Sequence, residues 1–480
     1  AWQYPLLALG SALLVSGWWF WRNWTLYHDP TGLNVMLAIV GERSATWRDL
    51  LREWEGFRRA FWGVFGGMNV LMPAWVYRIL DGWTLVVFLG FVFAFLRAVH
   101  ARERTEVERW TGVLGYIGTV FVALLRWTMR TLASQGRLLF PALAPIGLVF
   151  WRGWTWWTDK ISIPGWRRLL SGVPLAFLAF IALVAPPLWI APVYDPTRVV
   201  RSTVPDDVTP HRVQFGQVVE MLGYRLQVPH PLLPGSEVQA SLYFRRLDGP
   251  AQPWSLFVHL LDEVEVVLAQ DDRYPMLGLV DMPRISPGTL WEEPVRLRVP
   301  DTAVAPAQVS LEWGFYNLQD GQRLPIAHVD PPQTRVLVGP WQLLPRPGPY
   351  PNPTSVVFGD RVELVGFEAA PRRLHPGDAL HLVLYWRALR PMKHDYVVFT
   401  HILEPPDHIW GQEDRAPSVP THLWKVGEVY REEYTLVLRP DTPPGLYEVE
   451  IGWYRPDTGE RLLRPDGRNF LFLTRVRAVP

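Results

Sequence analysis

The stretches "FVHLLDEVEVVLAQDDR" (257–273) and "FTHILEPPDHIWGQEDR" (399–415) decide the fold of the C-terminal half. Aligned, Phe257-Val258-His259 answers Phe399-Thr400-His401, and Gln270-Asp271-Asp272-Arg273 answers Gln412-Glu413-Asp414-Arg415. Working outward, Gly314-Phe315-Tyr316 matches Gly452-Trp453-Tyr454, and Gly321-Gln322-Arg323-Leu324 matches Gly459-Glu460-Arg461-Leu462. On the N-terminal side Phe215-Gly216 matches Phe358-Gly359, Leu222-Gly223-Tyr224 matches Val365-Gly366-Phe367, Pro234-Gly235 matches Pro376-Gly377, and Leu242-Tyr243-Phe244 matches Leu384-Tyr385-Trp386. The offset drifts from 143 residues (Phe215 to Phe358) to 138 (Gly321 to Gly459), as insertions confined to loops require. Residues 215–324 and 358–462 are therefore two copies of one unit.

Each copy is built of short runs that alternate apolar and polar residues, such as "VQASLYF" (238–244), "LHLVLYW" (380–386) and "YEVEIGWY" (447–454). Turn residues bound them: "PGS" at 234–236, "PGD" at 376–378, "PPG" at 443–445 and "DTGE" at 457–460. This is the pattern of half-buried antiparallel strands. The repeat length suits an immunoglobulin-like β-sandwich. The spacing predicts sandwiches over 205–338 and 356–480, with the Pro-rich stretch "GPWQLLPRPGPYPNPTS" (339–355) as a semi-rigid linker between them.

Residues 1–194 follow different rules. They hold 18 of the 26 Trp, and residues 1–21 and Leu169–Tyr194 carry no charge. A run of 26 residues crosses ~30 Å of hydrocarbon at ~1.5 Å per residue. Shorter uncharged runs, Gly82–Leu96, Trp110–Leu125 and Leu138–Trp151, are bordered by Trp and Arg, which favour the headgroup layer. The pattern predicts a transmembrane region of about five helices, near 3–21, 77–98, 109–127, 138–157 and 169–191. The short loops bearing Arg97, Arg102, Arg104 and Arg109, and Arg152, Lys160, Arg167 and Arg168, are basic and hence expected on the cytoplasmic side. The long loop 22–76 and everything after 195 are then expected outside the cell membrane. The first residue is Ala1, followed at once by apolar sequence with no basic leader, which reads as a chain in progress within a longer polytopic protein.

The remaining composition is mostly exclusionary. A net charge of +1 gives no sign of a nucleic-acid partner, and the lack of cysteine excludes disulfides and thiol chemistry. Of 47 basic residues only Lys160, Lys393 and Lys425 are lysine.

Four groups of residues are candidates for chemistry. In the copies, His259, Asp272 and Arg273, and His401, Asp414 and Arg415, form either a carbohydrate or metal site or a buried network orienting two strands. Retention in both copies favours the network. A metal needs three or more converging ligands and the sequence offers at most two per copy, so no metal is assigned. Tyr243, Tyr385 and Trp386 are candidate platforms for a sugar ring. In "TLASQGRLLFPALAP" (131–145), Gln135, Gly136 and Arg137, with Arg126 and Arg130, could hold a lipid phosphate or serve as snorkelling anchors. In the long loop, His28, Asp29, Glu42 and Arg43 could line a site, or "HDPTG" could be a turn with an Asp cap. Residues Trp47–Trp62 carry Leu50, Leu51, Trp54, Phe57 and Phe61 at helical spacing, an amphipathic helix expected to lie on the outer leaflet.

The run "EGFRRAFWGVFGGMNVLMPAWVY" (55–77), followed by "SQGRLLFPALAP" (134–145), resembles bacterial polytopic membrane proteins of the GT-C glycosyltransferase type, including relatives of protein O-mannosyltransferases. The C-terminal repeats resemble tail domains fused to such enzymes in Chloroflexi-like bacteria. The resemblance implies sugar transfer from a polyprenyl-phosphate carrier on the extracytoplasmic face, with the sandwiches recognising or presenting a glycan or protein acceptor. It implies a carboxylate base in the family's first outer loop, and no residue of this sequence takes that role. Arg137 is the position it matches to carrier contact. No cofactor is expected, a divalent metal only if a preceding region supplies its ligands. The alternative is a non-catalytic, membrane-anchored envelope or adhesion protein whose sandwiches bind polysaccharide or protein.

Overall fold

The computed structural model describes residues 3–41, 43, 45–132, 134–250 and 252–480. The chain divides into two compact units, Ala1–Asp195 and Pro196–Pro480.

The first unit is helical: α1 (Gln3–Tyr27), α2 (Leu33–Val40), α3 (Trp47–Trp62), α4 (Ala74–His100), α5 (Arg104–Arg130), α6 (Leu143–Thr158), entered through a 3₁₀ turn at Gly136–Ala142, and α7 (Pro164–Val184). Four helical stretches among the described residues are long and apolar enough to cross a membrane: Ala74–His100, Arg104–Arg130, Gly136–Thr158 and Pro164–Tyr194. Their outward side chains are large and apolar, with Leu85 60% and Leu183 76% exposed. Such a surface suits hydrocarbon and not water. The span expected over 3–21 does form a helix, α1, and it is not among these four.

Helices α4 and α6 pack most intimately. A Cβ added at Gly90 would strike the Gly153 carbonyl, and one added at Gly153 would strike the Val87 carbonyl. Small residues are what let two helix backbones approach this closely, the packing mode common between apolar helices of membrane proteins. Trp157 adds a hydrogen bond from its indole N–H to the Val86 carbonyl, 2.9 Å.

The second unit is two sandwiches, as the repeat requires, antiparallel apart from the short parallel pairing of Arg373–Leu374 with Arg477–Ala478. The first comprises β1 (Val200–Arg201), β2 (Thr209–Phe215), β3 (Val219–Gln227), β4 (Glu237–Arg246), β5 (Trp254–Asp262), β6 (Val267–Arg273), β7 (Leu290–Arg298), β8 (Ala307–Asn317) and β9 (Val336–Leu343). The second comprises β10 (Val356–Phe358), β11 (Val362–Ala370), β12 (Arg373–Leu374), β13 (Ala379–Ala388), β14 (Val397–Glu404), β15 (His408–Gln412), β16 (Val429–Val437), β17 (Gly445–Tyr454) and β18 (Leu471–Ala478). The sheet orders are β1-β7-β4-β3-β2 with β9-β8-β5-β6, and β10-β11-β13-β16 with β12-β18-β17-β14-β15. Without the short strands β1 and β12, the two topologies are identical strand for strand.

Each sandwich has its own core, filled from both sheets. Phe244 and Trp291 face Val258, Trp313 and Phe315 in the first. Leu384 and Trp386 face Val398, Val449 and Trp453 in the second, where the two indoles meet edge to face at 4.9 Å.

The Pro-rich stretch is fastened along its length rather than free. Gly339–Leu343 belong to β9. Phe367 N–H donates to the Pro351 carbonyl at 3.1 Å. The Asn352 amide bonds both backbone groups of Ala305 at 2.8 Å. Across the junction Arg372, 3% exposed, donates to Asp262 at 2.9 Å and to Glu263 at 3.0 Å.

If the α4–α6 crossing depends on these glycines, Gly90→Ala and Gly153→Ala should each lower stability by about 1–3 kcal/mol, the usual penalty of overpacking. Gly118→Ala, where a Cβ meets nothing within 4 Å, should not. Thermal unfolding in detergent checks this, and equal losses at all three positions would refute the crossing's role.

Candidate functional site

Three of the predicted site groups turn out to hold the fold together. His28 and Asp29 form the turn between α1 and α2. His28 has φ 53° and closes α1 through its N–H to the Trp24 carbonyl, 3.0 Å. Asp29 caps α2: it accepts from the Thr31 hydroxyl at 2.6 Å, the Thr31 N–H at 2.9 Å and the Asn34 N–H at 3.0 Å. These bonds hold its carboxyl at about 2.

Arg43 lies elsewhere. Its guanidinium donates to the Thr128 and Thr131 carbonyls at 2.7–3.0 Å and pairs both nitrogens with Glu53 of α3 at 2.5 and 2.9 Å. An arginine on the last carbonyls of α5 satisfies acceptors the helix leaves open. The Arg43 pair holds the Glu53 carboxyl below its usual range. Arg43 therefore clamps α3 to the end of α5 and does not share a site with His28 and Asp29. Glu42 lies outside the described residues.

The sugar platforms are corrected by burial. Tyr243 and Trp386 are both fully enclosed, so neither presents a ring face to a ligand. Tyr385 is half-buried, its hydroxyl donating to Glu368 at 2.7 Å and its ring against Tyr350 at 5.4 Å. Adjacent strand residues point to opposite faces, so Tyr385 and Trp386 cannot act as one surface.

The repeated histidines do form a network, with a different third member. His259 bonds Asp272 at 2.9 Å through Nε2 and Glu312 at 3.0 Å through Nδ1. His401 bonds Asp414 and Glu450 in the same way, both at 3.2 Å. Glu312 and Glu450 sit directly across the ladder from their histidines. Burial pushes each imidazole down, but the paired carboxylates outweigh it and hold both at about 9. Both ring nitrogens then carry protons and donate, one to each carboxylate.

Arg273 and Arg415 are not part of this network. Their side chains leave the opposite side of the strand and cross to the other sheet, where they donate to the Pro294 carbonyl (2.6 Å) and the Glu433 carbonyl. The repeat's second arginine joins the histidine face instead. Arg323 lies over the Phe257 ring at 4.4 Å and Arg461 over Phe399 at 4.2 Å. A side chain at Gly314 or Gly452 would collide with those phenyl rings.

The helical unit holds a site that sequence reading missed. Two adjoining cavities of about 630 and 280 Å³ run between α3, α4, α6 and α7 and share Phe61, Trp62, Ile146 and Phe150. Trp54, Phe57, Leu85 and Phe88 complete the larger one, and Trp83, Trp154 and Leu178 the smaller. The larger cavity contains one ion pair, Arg58 of α3 with Asp81 of α4. Asp81 stands about 10 Å along α4 and is the sole acid of Ala74–His100, the one signal that could have marked it.

Helix α3 spans Trp47–Trp62 as its periodicity requires, but it is docked rather than loose on a leaflet: Phe57 and Phe61 close over Gly136, with Phe61 against Phe140 at 6.2 Å. The 3₁₀ turn bearing Gly136 supplies Leu139 and Phe140 to the cavity walls. Arg137, on that same turn, is exposed and donates to the Gln135 side chain at 2.8 Å. Arg126 and Arg130 are exposed near the end of α5. Among the described residues no group of three or more His, Asp or Glu side chains is arranged so that it could hold a metal ion.

No protein-family model matches this chain, and no curated protein matches it. Among solved structures, the crystal structure of Bacteroides uniformis beta-glucuronidase is similar over 48% of this chain and 26% of its own, at 12% identity and a TM-score of 0.16. This chain thus covers about a quarter of that protein, and a likeness at that score carries no statement about fold or chemistry.

The histidine clamps predict a pH dependence. A folded imidazole that keeps its proton to about 9, against about 6.5 unfolded, stabilises fully below pH 6.5 and loses that contribution as pH rises through 9. The effect is on the order of 3 kcal/mol per site. Glu293, which burial pushes up to about 7, titrates below that window. Denaturant unfolding monitored at the strand signal should therefore weaken between pH 7 and 9.5, and His259→Gln with His401→Gln should flatten the profile. An unchanged slope in the double variant would refute the clamps.

Proposed function

We propose that this chain is the carrier-holding and acceptor-presenting portion of a GT-C type membrane glycosyltransferase. It uses a polyprenyl-phosphate-linked sugar on the extracytoplasmic face, and its sandwiches take up the glycan acceptor. The observation that carries this reading is the aromatic groove of the helical unit, whose apolar walls suit an isoprenoid chain. The exposed Arg137, on the turn that supplies Leu139 and Phe140 to its walls, suits a phosphate at the chain's end. The resemblance of residues 55–77 and 134–145 to the GT-C type supports the same reading. The multi-pass arrangement and the outward placement of the sandwiches belong to this proposal, supported by the basic short loops. No residue of this chain is assigned as catalytic base.

The test uses protein reconstituted in nanodiscs and a polyprenyl phosphate bearing a photoreactive group on its chain. Cross-links should fall on Phe57–Trp62 and Leu85–Phe88 and be competed by unlabelled polyprenyl phosphate better than by polyprenol. Arg137→Lys should weaken that competition about tenfold, the loss of roughly 1.4 kcal/mol of bidentate contact, without altering insertion or the unfolding midpoint. Uniform labelling of all outward helix faces, or equal competition by the alcohol, would overturn the proposal.

A further inference from the structure

We infer that the cleft between the two sandwiches is a binding site for a neutral oligosaccharide. This rests on the reading that the sandwiches take up glycan, and it assigns the place and the class of ligand. Two adjoining cavities of about 370 and 180 Å³ lie along the junction and share Thr302, Ala303, Phe472 and Leu473. Their walls come from both sandwiches, and the junction bonds through Arg372 and Asn352 hold those walls in one arrangement.

The charges of the cleft select the ligand. Three acids and three arginines line it, and they pair off: Asp262 with Arg372 at 2.9 Å, Glu448 with Arg475 at 2.7 Å, and Asp301 with Arg346. The balance leaves no net field to attract a phosphate or a cation. It leaves a dense set of donors beside acceptors, which a sugar hydroxyl, being both at once, can engage. Arg372 supplies a second, independent indication. It lines the larger cavity and is 3% exposed, and while its Nε and Nη1 bond Glu263 and Asp262, its Nη2 has no partner. A buried guanidinium nitrogen without an acceptor is costly, and a ligand oxygen would satisfy it.

The cleft also has a platform that the sequence did not mark. Phe472 of β18 is 41% exposed in the wall shared by both cavities. It pairs across the ladder with Glu450, and the matching partner of Glu312 in the first sandwich is Leu337. The aromatic ring thus stands only in the copy whose edge faces the junction. Its face, beside Leu473, suits the C–H side of a pyranose while the paired charges take the hydroxyls.

The test titrates manno-, cello- and chitotetraose, with trigalacturonate as the acidic comparison, into the full chain in detergent by calorimetry. At least one neutral tetrasaccharide should bind saturably and more tightly than the acidic one. Phe472→Ala should weaken it at least tenfold, and Leu337→Ala should leave it unchanged. The unfolding midpoint of Phe472→Ala is measured alongside; if it falls, Phe472→Leu replaces it and the same loss is expected. No saturable neutral binding, preference for the acidic sugar, or equal effects at Phe472 and Leu337 would overturn the site. Polyprenyl-phosphate cross-linking in the same variants separates the two proposals: a failed cleft leaves it intact, and a failed groove abolishes it while sugar binding persists.

Discussion

A β-strand presents successive side chains to opposite environments, and most of the second unit follows from how β5 and β14 meet that constraint. Trp254, Leu256, Val258 and Leu260 point inward and fill a core. The intervening residues must then be stable on the outer face of the same sheet, where Phe257 is nevertheless 1% exposed. Arg323 covers that ring, Gly314 makes room for it, and the neighbouring His259 is fixed between two carboxylates. Replace the numbers with Phe399, Arg461, Gly452 and His401, and the second sandwich repeats the solution. The charged form of the histidine is what lets two acids approach one another on a crowded face, since a neutral ring could donate to only one of them.

The same constraint explains what could and could not be read from the sequence. Alternation and turn residues made the strands legible, and the ordered matches made the two copies legible, because these are local or repeated properties. Glu312 and Glu450 were not, because their link to the histidines is a cross-strand register set by folding, 53 and 49 residues away. Asp272 and Arg273 are neighbours in sequence and therefore were grouped, yet period-two geometry sends one to the histidine and the other to the opposite sheet. Tyr385 and Trp386 were grouped for the same reason and separate in the same way. In the helical unit, α3 was legible to the residue from its apolar spacing, and Thr46 with Asp49 closes its start as a capping box. What it docks against was not, since Gly136 carries no pattern of its own. Asp81 falls at the edge of the uncharged run Gly82–Leu96 but inside the helix, and an acid within an apolar helix is informative in itself.

The junction between the sandwiches shows how charge is used here for geometry. A buried arginine between two carboxylates contributes little net stability, because desolvation offsets most of the Coulomb attraction. It is demanding about direction, however, since the planar guanidinium meets Asp262 and Glu263 through different nitrogens. Together with the Asn352 bonds to Ala305, this fixes the junction where a Pro-rich spacer alone would leave the domains free to pivot.

A duplicated domain allows a subtraction that a single domain does not. Devices present in both copies, the histidine clamp, the arginine over phenylalanine and the arginine that stitches sheet to sheet, are accounted for by folding, since each copy must fold. What remains after they are removed is where the copies differ. Arg335 joins Glu312 in the first copy, and Phe472 stands where the first copy has Leu337. The first of these adds a charge to a network already complete in its essentials. The second places an aromatic ring, partly bare, at the edge that the other sandwich meets. Leu337 serves the equivalent strand while 53% exposed, whereas Phe472 packs against Phe470 at 4.9 Å and leaves 41% of its surface bare. The site inferred at the junction draws on that difference, since only the second copy sets an aromatic face in the wall of the cleft.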